Sequence, residues 1–163
     1  MAGFEELASE VLALCKASDL MLATVESCTG GMVAAALTDI PGSSSVVERG
    51  FVTYSNQAKN ELVGVSNKVL EIHGAVSEPA ARMMAEGALL HAPVALSVAV
   101  TGIAGPGGAT ETKPEGLVHF ACARTGRDTR HARIEFGALG RAEVRRRSVI
   151  QSLEMLRDMA EKP

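Results

Sequence analysis

Residues 94–100 read VALSVAV, an almost unbroken apolar run. A strand with one wet face alternates apolar with polar side chains; this one does not, so both of its faces must be covered. Such a strand belongs in the middle of a sheet with helices packed on each side, which is an α/β layering. The run ends at TGIAGPGG, residues 101–108, a glycine-rich loop. A shorter apolar run over residues 20–25 ends in the same manner. It breaks at Glu26-Ser27-Cys28-Thr29-Gly30-Gly31, and a helical stretch of small residues follows. Both turns then lie at strand C-terminal ends, the edge at which open α/β sheets bind ligands.

The remaining pattern agrees with that class. Phe4, Leu7, Ala8, Val11, Leu12 and Leu14-Cys15 recur at helical spacing over residues 4–17. The helix over residues 30–38 is stopped by Asp39-Ile40-Pro41-Gly42, and residues 43–45 are a loop or a cap. Residues 46–53 suit an extended segment rich in β-branched and aromatic residues. Ser55, Ser66 and Ser77 stand as caps for helices over residues 56–63, 67–72 and 77–90, with Pro79 in the first turn of the last. Residues 116–124 and 129–136 alternate as two strands joined by the turn Thr125-Gly126-Arg127-Asp128. A final helix covers residues 141–160. The order α-β-α-β-α-α-α-β-β-β-α predicts an α/β fold in which one mixed sheet carries helices on both faces.

Composition narrows the function classes. With 163 residues, 47% of them hydrophobic, the chain builds one ordinary core, so residues 1–163 are taken as a single domain. A formal charge of −3 argues against a nucleic-acid footprint. The densest basic cluster, Arg145-Arg146-Arg147, lies in a helical pattern with acidic neighbours and reads as a solvated face. Aromatics are only 3% and Trp is absent, which leaves little material for stacking bases. No apolar run reaches the roughly 18 residues of a membrane helix. The first residues carry acids without a basic start, so no secretion signal is read. Three cysteines without C-x-x-C spacing disfavour a disulfide framework or a zinc site and fit a reduced, cytoplasmic setting.

Chemistry concentrates in the two turns. Ser27 is a weak nucleophile without a base. The four histidines, His73, His91, His119 and His131, all sit in ordinary structural contexts. Lys59, just past the second strand, is an alternative base: an amine withdrawn from water has a lowered pKa and accepts a proton. Tyr54, the only tyrosine, stands near it; the bland alternative is a surface lysine beside a core tyrosine. Cys28 is either a rival nucleophile or a small buried hydrophobe. Thr29 is a helix cap or a ligand hydroxyl, and Glu26 a substrate contact or an anchor for the turn. Gly30 and Gly31, like Gly102 and Gly105 beside Thr101, allow a ligand to approach bare backbone N–H groups. Arg145 could reach an anionic group, with Arg49, Arg133 and Arg141 as lesser candidates.

Five segments taken together are more specific than any one. VESCTGG, TDIPGSS, ERGFVTYSNQAK, HGAVSEP, and VTGIAGPGG followed by KPEGLVHF occur in that order. They resemble the CinA C-terminal domain family, nicotinamide mononucleotide deamidases, from about residue 7 to about residue 159. The resemblance implies a three-layer α/β/α sandwich and a serine–lysine hydrolysis of the carboxamide of nicotinamide mononucleotide, a small-molecule substrate, with no metal or cofactor. It implies Ser27 as nucleophile, Lys59 as base with Tyr54 beside it, and Thr29, Thr101, Gly102 and Arg145 around the substrate. Longer members add a molybdopterin-binding-like domain linked to a pyrophosphatase activity; that part has no counterpart in this sequence, and its activity is not expected. A nucleotide-binding module without catalysis is the alternative. No nucleic-acid or membrane partner is expected, and the apolar content would suit a homo-oligomer.

Overall fold

The computed structural model describes residues 2–162. The elements follow the predicted order: α1 (Glu5–Ala17), β1 (Leu22–Glu26), α2 (Met32–Thr38), a 3-10 turn (Ser43–Ser45), β2 (Val47–Val52), α3 (Asn56–Val63), α4 (Asn67–His73), α5 (Glu78–His91), β3 (Leu96–Gly102), β4 (Leu117–Arg124), β5 (Arg130–Glu135) and α6 (Arg141–Ala160). One five-stranded sheet has the order β2-β1-β3-β4-β5. β1 runs parallel to β2 and β3, while β4 pairs antiparallel with β3 and β5 antiparallel with β4, so the sheet is mixed. The three serine caps form, with Ser55, Ser66 and Ser77 accepting from the N–H groups of Ala58, Val69 and Ala80.

The apolar run over residues 94–100 becomes the central β3, buried on both faces along all but its last residue. Strand alternation sorts its side chains by size. Leu96, Val98 and Val100 join Leu22, Val118 and Phe120 in a thick layer against α1, α2 and α6. The opposite face presents Ala23, Val25, Ala99, Ala121 and Ala123, and α5 meets it with Ala80, Ala81, Met84, Ala85 and Ala88. Small side chains on both partners let α5 sink close to the sheet. Ser97 on this face donates its hydroxyl to the Ala85 carbonyl at 2.6 Å, which satisfies that polar group in the apolar layer.

Close packing extends to α3. Gly87 lies inside α5 where alanine would favour the helix by about 1 kcal/mol. A Cβ at that position would stand 1.9 Å from the Val63 carbonyl oxygen. Steric exclusion therefore outweighs propensity, and Gly87→Ala is expected to destabilise by about 2 kcal/mol. Chemical denaturation of the two proteins checks this; a variant as stable as the parent would refute the close approach.

On the α5 face of the hairpin, His119 and His131 pair through Nδ1 and Nε2 at 2.9 Å, and His131 Nδ1 reaches Glu78 Oε1 at 3.2 Å. Burial, with the neighbouring His131 second, pushes the His119 imidazole down to about 4. In the unfolded chain a histidine titrates near ~6.5. Between those values the unfolded state binds more protons, so this contribution is complete above the unfolded pKa and is lost as pH falls toward 4. Thermal melts of the parent and of His119→Gln across that window test it. The parent should lose melting temperature faster on acidification, and parallel curves would refute the neutral buried imidazole.

Candidate active site

β1 ends in a carboxylate that never reaches solvent. Glu26 is 1% exposed and lies on the α2 side of the sheet. Its oxygens accept from Thr29 Oγ1 at 2.7 Å, Val33 N at 2.8 Å, Ala34 N at 3.0 Å and Thr24 Oγ1 at 3.3 Å. The two backbone donors belong to the first turn of α2, whose N-cap is Gly31 and whose own residues provide no side-chain cap. A strand residue thus caps the following helix and stabilises its N-terminal N–H groups. α2 begins at Met32 rather than at Gly30 because Gly30 and Gly31 adopt φ of +57° and +106°, left-handed backbone that glycine takes without strain.

Ser27 follows directly. Its N–H donates to Val100 O on β3 at 3.0 Å, and its own carbonyl accepts from Gly30 N at 3.0 Å. On the other side, Thr53 N donates to the Glu26 carbonyl at 2.8 Å. These bonds bring residue 27 to the junction of β1, β3 and the segment leading into α3.

Lys59 enters from α3, and here ordinary preferences invert. Lys59 is 1% exposed and Tyr54 is 61% exposed. The Lys59 amine lies 2.8 Å from Thr53 O, 3.4 Å from Tyr54 O and 3.0 Å from Ser27 Oγ. Burial lowers its pKa from 10.5 to about 8. A neutral amine has two N–H groups and one lone pair. The two carbonyls can only accept, so they take the N–H groups and leave the lone pair for the Ser27 hydroxyl. That is the arrangement of a nucleophile and its general base.

The hydroxyl opens into a cavity of about 330 Å³ walled by residues 75–76 and 101–108 and by Ser27, Cys28, Tyr54, Lys59 and Arg141. Thr101, Gly102 and Gly105 therefore join Ser27, Lys59 and Tyr54 in one place. Thr101 Oγ1 donates to Ala75 O at 2.9 Å, tying the two wall segments together. Glu26, Thr29, Gly30, Gly31 and Arg145 do not line the cavity. Thr29 is fully buried and spends its hydroxyl on Glu26. Arg145 lies behind the turn, with Nε donating to Cys28 O at 3.1 Å and Nη2 to Thr29 O at 3.2 Å.

Arg141, only a lesser candidate in the sequence, is the arginine at the cavity. It donates to Gly105 O at 2.9 Å and to the Tyr54 hydroxyl at 3.0 Å. The wall carries one permanent cation, Arg141, beside the Lys59 amine, and among the described residues no carboxylate. Residues 75–76 are also wall residues; they fall in the HGAVSEP segment, to which the sequence assigns no site role, and the seating of α5 on the sheet brings them there. Cys28 lines the cavity, but burial pushes its thiol up to about 11, so it stays protonated at neutral pH. Among the described residues no cluster of three His, Cys, Asp or Glu is arranged to hold a metal ion, and no helix is long and apolar enough to cross a membrane.

Comparison with known proteins bears on the whole frame. The family profile described as CinA C-terminal domain matches residues 4–160. A CinA-like protein of Parasynechococcus marenigrum (strain WH8102) is 49% identical over 155 residues, covering 94% of this chain and 36% of that protein. A CinA-like protein of Mycobacterium marinum is 50% identical over 141 residues, covering 86% of this chain and 33% of its own length. The chain thus spans about a third of these relatives. The crystal structure of competence/damage inducible protein CihA from Agrobacterium tumefaciens superposes with a TM-score of 0.96 at 46% identity, covering 99% of this chain and 98% of that one. The fold, the cavity-forming segments and the profile match all fall within the same residues, and the chain belongs to the CinA C-terminal domain family.

Proposed function

We propose that this domain hydrolyses the carboxamide of nicotinamide mononucleotide to nicotinate mononucleotide and ammonia, with Ser27 as nucleophile and Lys59 as its base. The observation that carries the reading is the 3.0 Å contact between a buried amine and the Ser27 hydroxyl, with two backbone carbonyls occupying the amine's N–H groups. As Ser27 Oγ bonds to the carboxamide carbon, its proton passes to Lys59 Nζ and the carbonyl oxygen takes the negative charge. Collapse of that intermediate breaks the C–N bond, and Lys59 returns the proton to the departing nitrogen, which leaves as ammonia. Water then adds to the acyl-serine, again giving a proton to Lys59, and Ser27 recovers it as the acid departs. The permanent cation on the wall supports a phosphate-bearing substrate. Lys59 lies at the reacting end and Arg141 at the rim, positioned for the phosphate, while Tyr54 orients the arginine.

Incubation with nicotinamide mononucleotide should release ammonia, and Ser27→Ala should reduce the rate by about 10³-fold or more. Ligand-induced thermal stabilisation without ammonia from the parent protein would instead support the non-catalytic binding module. Activity that survives in Ser27→Ala and disappears in Cys28→Ala would transfer the role to the thiol.

Lys59 gives two further measurements. The neutral amine is the active form, so kcat/KM should rise with pH, about tenfold per unit below a midpoint near 8, and then level off. Lys59→Met should abolish turnover and the pH dependence together. Its melting temperature at neutral pH should stay close to the parent's, since removal of a costly buried amine offsets the loss of its hydrogen bonds. A flat parental pH profile between 6 and 9, a range of about one unit or more on either side of that midpoint, would exclude the amine as base.

A further inference from the structure

Arg145 has an unusual set of partners. It stands beside Arg146 and Arg147, both of which pair with Glu143 on the same helix. Arg145 makes no ion pair among the described residues. Its two hydrogen bonds go to successive carbonyls, Cys28 O and Thr29 O, of the turn that carries Ser27. A third carbonyl of the turn, Ser27 O, accepts from Gly30 N at 3.0 Å. Three consecutive peptide planes are therefore fixed through their oxygens. These peptides are trans, so each N–H points opposite to the carbonyl of its own plane. The Ser27 carbonyl is drawn into the turn toward Gly30, which turns the Cys28 N–H outward. Cys28 lines the cavity beside Ser27, and among the described residues its N–H meets its own thiol and no other residue's oxygen. Thr29 is fully buried, so its N–H is closed to a substrate.

We propose that Arg145 is a positioning residue: by gripping the Cys28 and Thr29 carbonyls it holds the Ser27 turn in the one orientation that presents the Cys28 N–H to the cavity as an oxyanion donor. The donor lies one residue after the nucleophile, on the peptide whose carbonyl is tied back to Gly30. Glu26 anchors the turn through Thr29 Oγ1, and Met32 N donates to Thr29 O at 3.0 Å, so among the described residues the turn is held at its Cys28 carbonyl by Arg145 alone. The guanidinium supplies a planar fork that spans two oxygens, which an ammonium cannot reproduce. This inference rests on the serine–lysine reading, and it gives Arg145 a different task from binding the substrate phosphate.

The experiment compares the parent with Arg145→Ala and Arg145→Lys by two independent readouts. The first is steady-state ammonia release from nicotinamide mononucleotide. The second is the rate of Ser27 phosphonylation by a fluorophosphonate probe, followed by mass spectrometry, which needs the nucleophile and the oxyanion donor but not the substrate. Arg145→Ala should lose about 10²-fold in kcat, with KM within about twofold and the pH midpoint unchanged, the signature of a displaced oxyanion donor. Ser27 labelling should slow to a similar degree. Millimolar guanidinium ion should restore part of both rates in Arg145→Ala and nothing in the parent. Arg145→Lys keeps the charge and should fall between, which keeps the test open if the alanine variant folds poorly.

A raised KM with unchanged kcat would overturn the proposal and make Arg145 a substrate ligand. Labelling of Ser27 at the parental rate in folded Arg145→Ala or Arg145→Lys would also overturn it. If the parent labels at Ser27 but releases no ammonia, the substrate assignment fails, and the ratio of labelling rates decides the role of Arg145. If the parent neither labels nor releases ammonia, the serine–lysine reading and this inference fall together.

Discussion

A carboxylate buried without a cation beside it holds this fold and its site in register. Withdrawing Glu26 from water costs several kcal/mol unless its oxygens are satisfied. Four donors satisfy them, two from hydroxyls and two from the first turn of α2. The same bonds terminate β1, start α2 and determine the path of the chain between them. Every position in the turn, Ser27 included, is placed by reference to that group. Glycine at the N-cap makes the arrangement obligatory, because α2 has no cap of its own to fall back on.

Against that fixed turn, Lys59 and Tyr54 exchange the surroundings their chemistry would choose. Burial depresses the amine's affinity for a proton, and an exposed phenol forgoes packing. Neither choice favours stability. Both become intelligible when the amine is required neutral at the bottom of a cavity and the phenol is required at its rim against Arg141. Local departures from the rules of folding are concentrated where chemistry is placed.

Most of the architecture is legible in the sequence. The unbroken run of β3 predicted a strand covered twice, and the serine caps of α3, α4 and α5 announced their helices. The two glycine-rich turns marked the edge at which the cavity opens. Less legible was the direction in which individual side chains act. Arg141 and Arg145 are one turn apart on the same face of α6, so periodicity treats them alike. The rise of about 6 Å between them decides which one meets the cavity and which one lies behind the turn. Arg145-Arg146-Arg147 reads as a solvated run, and for the last two it is one. Glu26 carried two readings, substrate contact or anchor, and only the position of α2 above the sheet separates them. Such distinctions depend on distances between elements, which a one-dimensional pattern does not contain.

The alanine-paved face of the sheet has a consequence that reaches beyond packing. Residues 75–76 enter the cavity wall immediately before α5 begins. The height of α5 above the sheet therefore sets the height of that wall over Ser27. Methyl groups on both surfaces act as a thin shim of fixed gauge. A larger side chain in that layer would leave every reacting group chemically intact and still change the shape of the chamber. The reach of the pocket is thus written partly into residues that no ligand touches.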